Sequence, residues 1–288
     1  MDMIPLHKLF GAEIAGGVDL TVPLTDTQVA DLRSLFDAHG VTVIRHETPL
    51  TDEQHIAFSR RFGPLQRMKM LNMFDKSGPR LRYPELVDVG NLDSDGRILP
   101  DNDRRRQFNQ GNLLWHADVS FDAVRATYSM LSAHVVPPGG ADTEYCDLRA
   151  AYDALPANMQ KSIDGLVAEH SIWHSRALGG LTEVSEAEKA TRPPAQHALV
   201  HLHPGCGRKS LYLASHASHI VGWPVDEGRA LLDELIGFAT QQRFVYRHHW
   251  RVGDLVIWDN QSTMHRGTPF DDTAHARDMR RTTVLEAA

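Results

Sequence analysis

The chain has 288 residues, of which 42% are hydrophobic, so it can bury a sizeable core and is long enough for one elaborated domain. Its formal net charge of −7 and its pI near 6.2 indicate no basic surface of the kind that binds nucleic acid. The two cysteines, Cys146 and Cys206, lack zinc or redox spacing, and the sequence has neither a secretory leader pattern nor a long apolar run. We therefore expect a soluble, cytoplasmic protein without disulfides, with no membrane and no nucleic-acid partner.

The N-terminal part predicts an opening of mixed helices and strands. Apolar residues at helical spacing predict a helix over residues 25–39, which Gly40 ends, and a strand follows at residues 41–45. The segment 51–54, Thr-Asp-Glu-Gln, has the signature of a capping box and begins a second helix that ends near Gly63 and Pro64. We expect this opening to cover one end of a sheet formed by the later strands.

Two segments are polar and irregular, with repeated turn signals. The first spans about residues 66–110 and is interpreted as a lid-like insertion, because it lies directly before a candidate ligand at position 116. The second spans about residues 171–196 and is interpreted as another insertion near the pocket. Between them the pattern predicts a strand over residues 126–136 and a short helix over residues 147–155.

The remainder of the chain predicts one helix and several short strands. Residues 197–203 and 210–214 are typical of a hairpin, residues 225–240 have the apolar stripe of a helix, and strands are expected at residues 244–250, 254–259 and 281–286. No repeat, linker or low-complexity tract divides the chain, so we expect one domain over residues 1–288. Many short strands with helices at the ends predict a mainly β fold with flanking helices, a double-stranded β-helix or jelly roll.

Three residues predict a metal site: His116, Asp118 and His265. In an extended segment His116 and Asp118 project from the same face, while Ala117 points away. By itself such a tripeptide, in a chain with 17 histidines, is more often a surface turn or a satisfied core histidine. However, one apolar run precedes His116 and another precedes His265, and these runs place the candidate ligands at strand ends. Two histidines and one carboxylate are typical of non-haem Fe(II) oxygenases, because they leave positions of the ion open for a co-substrate and dioxygen.

Two arginines follow the second histidine. If residues 277–281 are extended, Arg277 and Arg281 enter the same barrel, since alternate side chains share a face. A buried arginine is costly unless it meets an anion, and its planar fork suits a carboxylate. Either these arginines hold the carboxylates of a co-substrate and a substrate, or they pair with internal acids such as Asp271 or Asp272.

Several long motifs carry a resemblance to a known family. They are LLWHADVSF (113–121), VVPPGGADTEYCDLRAAYDALP (135–156), HPGCGRKSLYL (203–213), VGDLVIWDN (252–260) and MHRG (264–267). The chain resembles the taurine dioxygenase family of Fe(II)/2-oxoglutarate oxygenases, and it is more similar still to the 2,4-dichlorophenoxyacetate dioxygenase branch of that family. The resemblance runs from FGPL (62–65) through RYPELVDVGNLDSDG (82–96) to MRRTTVL (279–285), so it covers nearly the whole chain. It implies the jelly-roll fold as well.

The resemblance implies a role for each metal and co-substrate residue. His116, Asp118 and His265 are implied to bind Fe(II). Arg277 is implied to bind the distal carboxylate of 2-oxoglutarate, with Thr143 of the GGADT segment as its hydroxyl partner. The cofactor set is then Fe(II), 2-oxoglutarate as co-substrate and O2, with ascorbate as an activator in vitro.

Three further residues are implied to bind the substrate. Arg281 is expected to face it, and His203 matches a family histidine near it, although a strand histidine before a turn is about as often structural. Lys69 falls near a lysine of the herbicide-degrading branch, at a spacing from FGPL that differs by two residues. Gln261 departs from the family, which usually has arginine after Trp-Asp-Asn, and this change bears on the support of His265.

The resemblance also implies a reaction. Hydroxylation of the carbon next to the ether oxygen of an aryloxyacetate, such as 2,4-dichlorophenoxyacetate, gives an unstable hemiacetal that collapses to a phenol and glyoxylate. In the same turnover 2-oxoglutarate becomes succinate and CO2. The expected partner is therefore a small-molecule carboxylate, and the expected assembly is a homo-oligomer.

Three other functions remain open. A taurine- or alkylsulfonate-type dioxygenase uses the same metal and co-substrate residues. A metal-dependent hydrolase uses a similar ligand set but leaves the paired arginines without a role. A non-catalytic jelly roll that binds an organic acid keeps the arginines and tolerates loss of a metal ligand. Oxygen consumption with added Fe(II) and 2-oxoglutarate separates the oxygenases from the other two.

Overall fold

The structure, a computed structural model, describes residues 1–67, 79–181 and 183–287. In this part of the chain the strands are β1 (Asp2–Pro5), β2 (Ala12–Gly16), β3 (Val41–Arg45), β4 (Val87–Asp88), β5 (Ala126–Val135), β6 (Thr143–Asp147), β7 (Val167–His170), β8 (Ala195–Ala198), β9 (Val200–Leu202), β10 (Lys209–Leu211), β11 (Ala217–Ile220), β12 (Val245–His248), β13 (Asp254–Asp259), β14 (Thr263–Gly267) and β15 (Asp278–Leu285). The helices are α1 (Asp26–His39), α2 (Asp52–Arg60), α3 (Arg104–Asn109), α4 (Leu148–Ala154), α5 (Ala157–Ile163), α6 (Ile172–Leu178), α7 (Glu186–Ala190) and α8 (Val225–Ala239). None of these described helices has both the length and the apolar character that a membrane span requires.

Both N-terminal helices begin at the threonines that the sequence indicates. The hydroxyls of Thr25 and Thr51 each accept a hydrogen bond from the backbone N–H three residues later, and the side-chain oxygens of the glutamines there, Gln28 and Gln54, accept one from the backbone N–H of the threonine. These two helix predictions are confirmed, as is the strand β3. The opening does not only cover the later sheet, however: β3 pairs along its whole length with β13, so the opening supplies part of the sheet itself.

The largest sheet has seven strands in the order β1-β2-β3-β13-β5-β15-β4. Its pairings are antiparallel except between β2 and β3. The central strand β13 is buried along its whole length, and its side chains alternate between two cores. Leu255 and Ile257 pack in the cluster beneath α1 and α2, whereas Val256 and Trp258 pack on the opposite face. The second face, which carries Trp258, is the one that lines the candidate site described below.

A smaller sheet, β12-β6-β14, lies against that second face. Tyr145 of β6 belongs to the same core cluster as Trp258 of β13 and Met279 of β15, so the two sheets face each other across shared side chains. This is the predicted jelly-roll arrangement of a mainly β fold with flanking helices. The strand pairing does not close the two sheets into a single hydrogen-bonded barrel.

The remaining strands form a layer beside the smaller sheet. β11, β7 and β8 form one sheet, and β9 pairs with β10. The predicted hairpin is therefore confirmed in part. β9 and β10 form it, but the first predicted strand is interrupted at Leu199, and the residues before it form β8, which pairs with β7. The helix α8 covers this layer with Leu232 and Leu235, as its apolar stripe predicts. The helix α5 was not predicted, because its sequence has no clear apolar period.

Both predicted insertions contain regular structure. The first, about residues 66–110, includes α3 and the short strand β4, which pairs with β15 at the edge of the main sheet. The second, about residues 171–196, includes α6 and α7. The first insertion is thus anchored to the strand that follows the two candidate ligand groups.

A partly buried ion-pair network fixes that anchor. Arg80 donates to Asp88 of β4 at 2.7 and 2.9 Å, and to Asp278 of β15 at 2.7 and 3.0 Å. Arg280 also contacts Asp278, at 3.2 Å. Burial opposes ionisation of Asp278, but the two guanidiniums prevail and lower its pKa to about 2. The network therefore stabilises the fold only while this carboxylate is charged.

We expect Asp278→Asn to lower the free energy of unfolding by about 2 kcal/mol at neutral pH, the equivalent of a pKa lowered from 3.8 to about 2. The folded pKa lies below the unfolded one, so the contribution is complete above about pH 4 and is lost as the pH falls towards 2. Urea unfolding at pH 7 and pH 3 measures the difference. Asp153→Asn, which removes the exposed pair with Arg208, is the control and should change little. An Asp278→Asn deficit that is as large at pH 3 as at pH 7 would contradict the electrostatic origin.

Candidate metal centre and its two chambers

Three side chains predicted as metal ligands converge in the structure. The Nε2 atom of His116 and the Nε2 atom of His265 each lie 3.9 Å from a carboxylate oxygen of Asp118. One donor atom from each residue lies within 4.8 Å of the other two, and all three side chains are buried. The imidazole ring centroids are 4.1 Å apart. The three donors thus surround a common point that one metal ion can occupy.

Backbone pairing brings the two histidines together. His116 N–H donates to the carbonyl of His265 at 2.9 Å, and His265 N–H donates back at 2.8 Å. Because directly paired residues in an antiparallel bridge project to the same side, both rings face the same cavity. The expectation that both groups lie at strand ends needs correction, since His265 is in the middle of β14.

Hydrogen bonds orient two of the three ligands. Asp118 Oδ2 accepts from the hydroxyl of Ser129 at 2.7 Å, and that hydroxyl accepts from Asn260 Nδ2 at 2.9 Å. The other end of the Asn260 amide, Oδ1, accepts from the backbone N–H of Asp118 at 3.0 Å. His116 Nδ1 lies 2.7 Å from the carbonyl of Leu114, which can only accept, so Nδ1 carries the proton and Nε2 presents its lone pair to the cavity. His265 Nδ1 has no hydrogen-bond partner among the described residues.

The charges of the three ligands suit a cation. Burial lowers the pKa of both His116 and His265, so the imidazoles are neutral at physiological pH. Burial opposes ionisation of Asp118, but the Arg281 guanidinium, with the hydrogen bond from Ser129, outweighs it and lowers its pKa to about 2. Two neutral nitrogen donors and one carboxylate are the protonation states that a divalent metal requires.

Arg277 is a partly buried cation without an acidic partner among the described residues. Its Nη1 donates to the carbonyl of Val89 at 2.6 Å, and its backbone N–H donates to Asn91 Oδ1 at 2.8 Å. Burial lowers its pKa to about 10, which still leaves it protonated at neutral pH. For Arg277 the alternative of internal pairing does not hold: Asp272 pairs with Arg106 at 2.7 Å, and Asp271 accepts from the following turn. Arg281, in contrast, does pair with an internal acid, Asp118. The Arg277 charge is therefore available to a ligand.

Thr143 lies on the same cavity wall as Arg277. Its hydroxyl oxygen accepts a hydrogen bond from Trp250 Nε1 at 3.0 Å. A hydroxyl has one proton to donate and two lone pairs, so this contact directs the proton of Thr143 away from Trp250. The side chain is thus set up to donate to an anion beside the guanidinium.

Arg281 enters the same interior as Arg277, as the alternation of β15 predicts. Where the register between β15 and β5 shifts, the extra residue is in β5 and forms a bulge there. The side chains of β15 therefore keep their alternation between the two faces. Met279, between the two arginines on that face, packs in the inner core. Arg281 Nη1 donates to Asp118, while Arg281 Nε has no partner among the described residues.

The candidate metal centre adjoins two cavities, both of which are lined by His116 and Arg281. The larger, of about 330 Å³, contains Thr143, Arg277 and His265, and we call it the Arg277 chamber. The smaller, of about 120 Å³, contains Asp118 and Arg176, and we call it the Arg176 chamber. Residues of both insertions line these chambers, which agrees with their predicted position near the pocket.

His203 needs correction as a substrate residue, because it lines neither chamber. Its Nδ1 accepts from the backbone of Gly205 and Cys206 at 3.1 Å, and its Nε2 lies 2.7 Å from Asp259. His203, Asp259 and Asp37 form a second group of donor atoms within 4.8 Å of one another. Since hydrogen bonds already engage both nitrogens of the ring, we interpret this group as structural.

The other predictions have mixed outcomes. Lys69 lies outside the described residues. Trp173 lines the Arg176 chamber. Gln261 donates through Nε2 to Glu286 at 2.8 Å rather than supporting a metal ligand, which fits the unpartnered Nδ1 of His265.

Sequence reasoning missed four residues of the site: Ser129, Asn260, Asn91 and Arg176. Asn260 belongs to the quoted VGDLVIWDN motif, so its position was visible but its role was not. Asn91 joins the first insertion to the loop before β15 by donating to the carbonyls of Asp272 and His275 at 2.8 and 2.9 Å. Ser129 and Arg176 carry no local signal, because their roles depend on residues far away in the sequence.

The comparisons with known proteins agree with this geometry. The chain is 48% identical over 284 residues to the alpha-ketoglutarate-dependent 2,4-dichlorophenoxyacetate dioxygenase of Cupriavidus pinatubonensis, covering 99% of this chain and 97% of that protein. It is 37% identical to the (S)-phenoxypropionate/alpha-ketoglutarate-dioxygenase of Sphingobium herbicidovorans, over 94% of this chain and 91% of that protein.

Solved structures and a family model lead to the same group. The crystal structure of AAD-2 in complex with Mn(II) and N-oxalylglycine superposes with a TM-score of 0.91 at 43% identity, covering 100% of this chain and 98% of that one. A taurine dioxygenase from Burkholderia xenovorans superposes with a TM-score of 0.76 at 28% identity, covering 99% and 89%. The family model described as taurine catabolism dioxygenase TauD, TfdA family matches residues 2–283, and the chain belongs to that family.

Proposed function

We propose that this protein is an Fe(II)- and 2-oxoglutarate-dependent dioxygenase that hydroxylates the carbon next to the ether oxygen of aryloxyacetates such as 2,4-dichlorophenoxyacetate. The products are a phenol and glyoxylate, with succinate and CO2 from the co-substrate. The observation that carries this proposal is Arg277, a partly buried guanidinium without a carboxylate partner among the described residues, in the chamber that adjoins two neutral imidazoles and a carboxylate. That combination calls for a ligand that is both a metal chelator and an acid.

The residues present fit Fe(II). His116, Asp118 and His265 offer two nitrogen donors and one oxygen donor around one point, and their protonation states suit a divalent ion. When bound, the iron supplies the redox chemistry that couples oxidative decarboxylation of 2-oxoglutarate to oxidation of a substrate C–H bond. The protein supplies the binding, orientation and exclusion of water described below.

We assign 2-oxoglutarate to the Arg277 chamber. Its distal carboxylate is bound by Arg277 and by the hydroxyl proton of Thr143, which Trp250 directs away from itself. Phe270 and Leu131 contribute apolar wall to the same chamber. A guanidinium in such surroundings binds an anion more strongly than in water, because little solvent competes for it.

We assign the substrate to the Arg176 chamber. Its walls include the aromatic side chains of Phe108, Phe121 and Trp173, which suit an aryl ring. Arg281 reaches this chamber with an unpartnered Nε and is the residue that we propose to face the substrate carboxylate. The chamber also contains Asp118, so a ring held there places its side arm beside the metal centre.

Ether cleavage follows from the position of the new hydroxyl group. A hydroxyl on the carbon that already carries the aryl ether oxygen makes a hemiacetal, and this collapses without further help from the protein. The names of the relatives support the substrate class: both act on aryloxy acids together with 2-oxoglutarate. A hydrolase would leave Arg277 and Thr143 without a role, and a sensor would not need neutral imidazoles around a metal site.

We also propose that residues 1–288 form one domain, and that the protein works in the cytoplasm as a homo-oligomer. The single-domain proposal is supported by the pairing of β3, from the N-terminal opening, with β13. A second copy can extend the main sheet at its edge strand β1, where Met3 and Ile4 are exposed. Size-exclusion chromatography with light scattering measures the assembly directly.

The substrate assignment predicts phenol release from purified protein supplied with Fe(II), ascorbate and 2-oxoglutarate. A panel of aryloxyacetates, aryloxypropionates, taurine and alkyl sulfates, scored by both succinate and the second product, ranks the substrates. We expect phenol from 2,4-dichlorophenoxyacetate, with one succinate formed for each phenol, and less turnover of taurine. Sulfite release from taurine with no phenol from any aryloxyacetate would contradict the substrate while leaving the oxygenase class intact.

Alanine at His116, Asp118 or His265 should abolish turnover while leaving a cooperatively melting protein, because these side chains line a cavity rather than fill a packed core. Calorimetry with Mn(II) should show an affinity loss beyond the roughly 10–100-fold that a lost supporting hydrogen bond costs. His203→Gln is the control, since it alters the second donor group and should keep metal binding. Metal binding that is lost in His203→Gln but kept in His265→Ala would contradict this assignment, because the metal would then bind at the second donor group, which contains His203.

Arg277→Ala should raise the concentration of 2-oxoglutarate needed for half-maximal turnover by a factor that corresponds to about 2–5 kcal/mol, because the distal carboxylate is left unmatched. The KM for the aryloxyacetate should change less. Arg280→Ala is the control: it lies on the opposite face of β15, paired with Asp52 and Asp278. A rise in the substrate KM without a rise in the 2-oxoglutarate KM would mean that Arg277 and Arg281 have exchanged roles.

A further inference from the structure

A second buried cation, Arg176 of α6, adjoins the metal centre. Its side chain is 7% exposed, and its Nε and Nη1 atoms have no hydrogen-bond partner among the described residues. Its Nη2 makes one long contact, 3.3 Å to Asn112 Oδ1. No carboxylate of the described chain lies within ion-pair distance of it, so most of its hydrogen-bonding capacity is unused.

Such an arrangement is unfavourable unless a ligand completes it. Burial and the nearby Arg281 lower the pKa of Arg176 to about 10, which leaves it charged at neutral pH. A buried charge without a counter-ion costs several kcal/mol, by order of magnitude. The comparison within this chain is Arg149, which is buried as deeply but donates to both oxygens of Asp147. Arg176 has no such carboxylate partner among the described residues, and it lies beside the proposed active site.

The position of Arg176 is built by other residues. The Phe108 ring lies 4.2 Å from the guanidinium carbon, a cation–π contact. On another side the guanidinium packs against Gly111, where a Cβ atom would come within 1.8 Å of Nη1. A residue larger than glycine at 111 would therefore displace the arginine. Ring and glycine together fix the charge at one end of the chamber.

The contents of the Arg176 chamber match one kind of ligand. Phe108, Phe121 and Trp173 provide aromatic wall, while Arg176 and Arg281 provide two positive charges that repel each other. An anion between the two guanidiniums removes that repulsion and satisfies the unused N–H groups. An aromatic ring on the same molecule fills the rest of the cavity. The combination describes an aryl-substituted acid.

We propose that Arg176 binds the anionic group of the substrate, an aryl-substituted acid, together with Arg281. This inference rests on the proposed function and adds a specificity-determining residue to it. Arg281 is tied to Asp118 and remains near the metal, whereas Arg176 approaches from α6 and selects for a negative charge. A neutral analogue of the same shape gains the aromatic contacts but leaves the charge of Arg176 unmatched.

Calorimetry tests this on protein loaded with Mn(II) and N-oxalylglycine, with 2,4-dichlorophenoxyacetate and its primary amide as probes. Arg176→Met removes the charge and keeps an unbranched apolar side chain, and Arg176→Lys keeps the charge without the fork. Arg208→Met is the control, because Arg208 lines neither chamber and pairs with Asp153 at 2.6 Å on the surface. Thermal melting of the ligand-free variants provides a second readout.

We expect wild-type protein to bind the acid more tightly than the amide. Arg176→Met should lower the acid affinity about thirtyfold or more, change the amide affinity by no more than about twofold, and melt no lower than wild type. Arg208→Met should bind both probes as wild type does. If Arg176→Met does not fold, Arg176→Lys carries the test, with an acid affinity about tenfold lower.

Two outcomes would overturn this inference while the proposed function stands. One is an Arg176→Met or Arg176→Lys protein that binds the acid as wild type does. The other is an equal loss of acid and amide, which would mean that Arg176 only shapes the cavity. Wild-type protein that binds neither probe would instead refute the proposed substrate class, and the role of Arg176 would fall with it.

Discussion

The two hydrogen bonds between the backbones of His116 and His265 are the contact on which the site depends. They join a segment that has little other strand pairing to β14, and β14 is itself held by β6. Because β6 also carries Thr143, one ladder places the two histidines of the proposed metal site and the hydroxyl proposed for the co-substrate in a fixed relation. The main sheet then supplies what this ladder lacks: Ser129 and Asn260 to orient the carboxylate, and the two arginines of the last strand segment.

Unbalanced buried charge is the second property of the site. Arg277 and Arg176 lie on opposite sides of the metal centre, and neither has an acidic partner among the described residues. Burial lowers the pKa of each to about 10, yet both stay charged at neutral pH. Asp118, the ligand between them, is neutralised by Arg281. The protein thus has two cations without a counter-ion among the described residues, and the two ligands that we propose, a keto diacid and an aryl acid, each supply an anion.

The sequence predicts best those features that have local causes. The capping threonines 25 and 51 and the apolar stripe of α8 indicate helices without reference to the rest of the chain. The three metal ligands were also predicted, because their residue types and the long family motifs are specific. The strand β14 was not, since its short sequence is extended only because β6 and His116 pair with it.

Features that depend on partners far away in the chain could not be predicted from the sequence. His203 resembles a family histidine near the substrate, but the sequence does not show that Asp259 and the turn at Gly205 engage both its nitrogens. Arg176 lies in a segment without clear periodicity, and its burial depends on Phe108 and Gly111 from the other insertion. The assignment of His203 and the omission of Arg176 have the same cause: the residues that decide the role of each side chain come from elsewhere in the fold.

The most direct test of the central claim is calorimetric binding of 2-oxoglutarate, and of pyruvate as a keto acid without the distal carboxylate, to the protein with and without Mn(II) under anaerobic conditions. We expect 2-oxoglutarate to bind tightly only when the metal is present, and pyruvate to bind much more weakly because it leaves Arg277 unmatched. Equal affinity for the two acids, or 2-oxoglutarate binding that does not depend on the metal, would contradict a site in which the triad chelates the keto acid and Arg277 holds its far end.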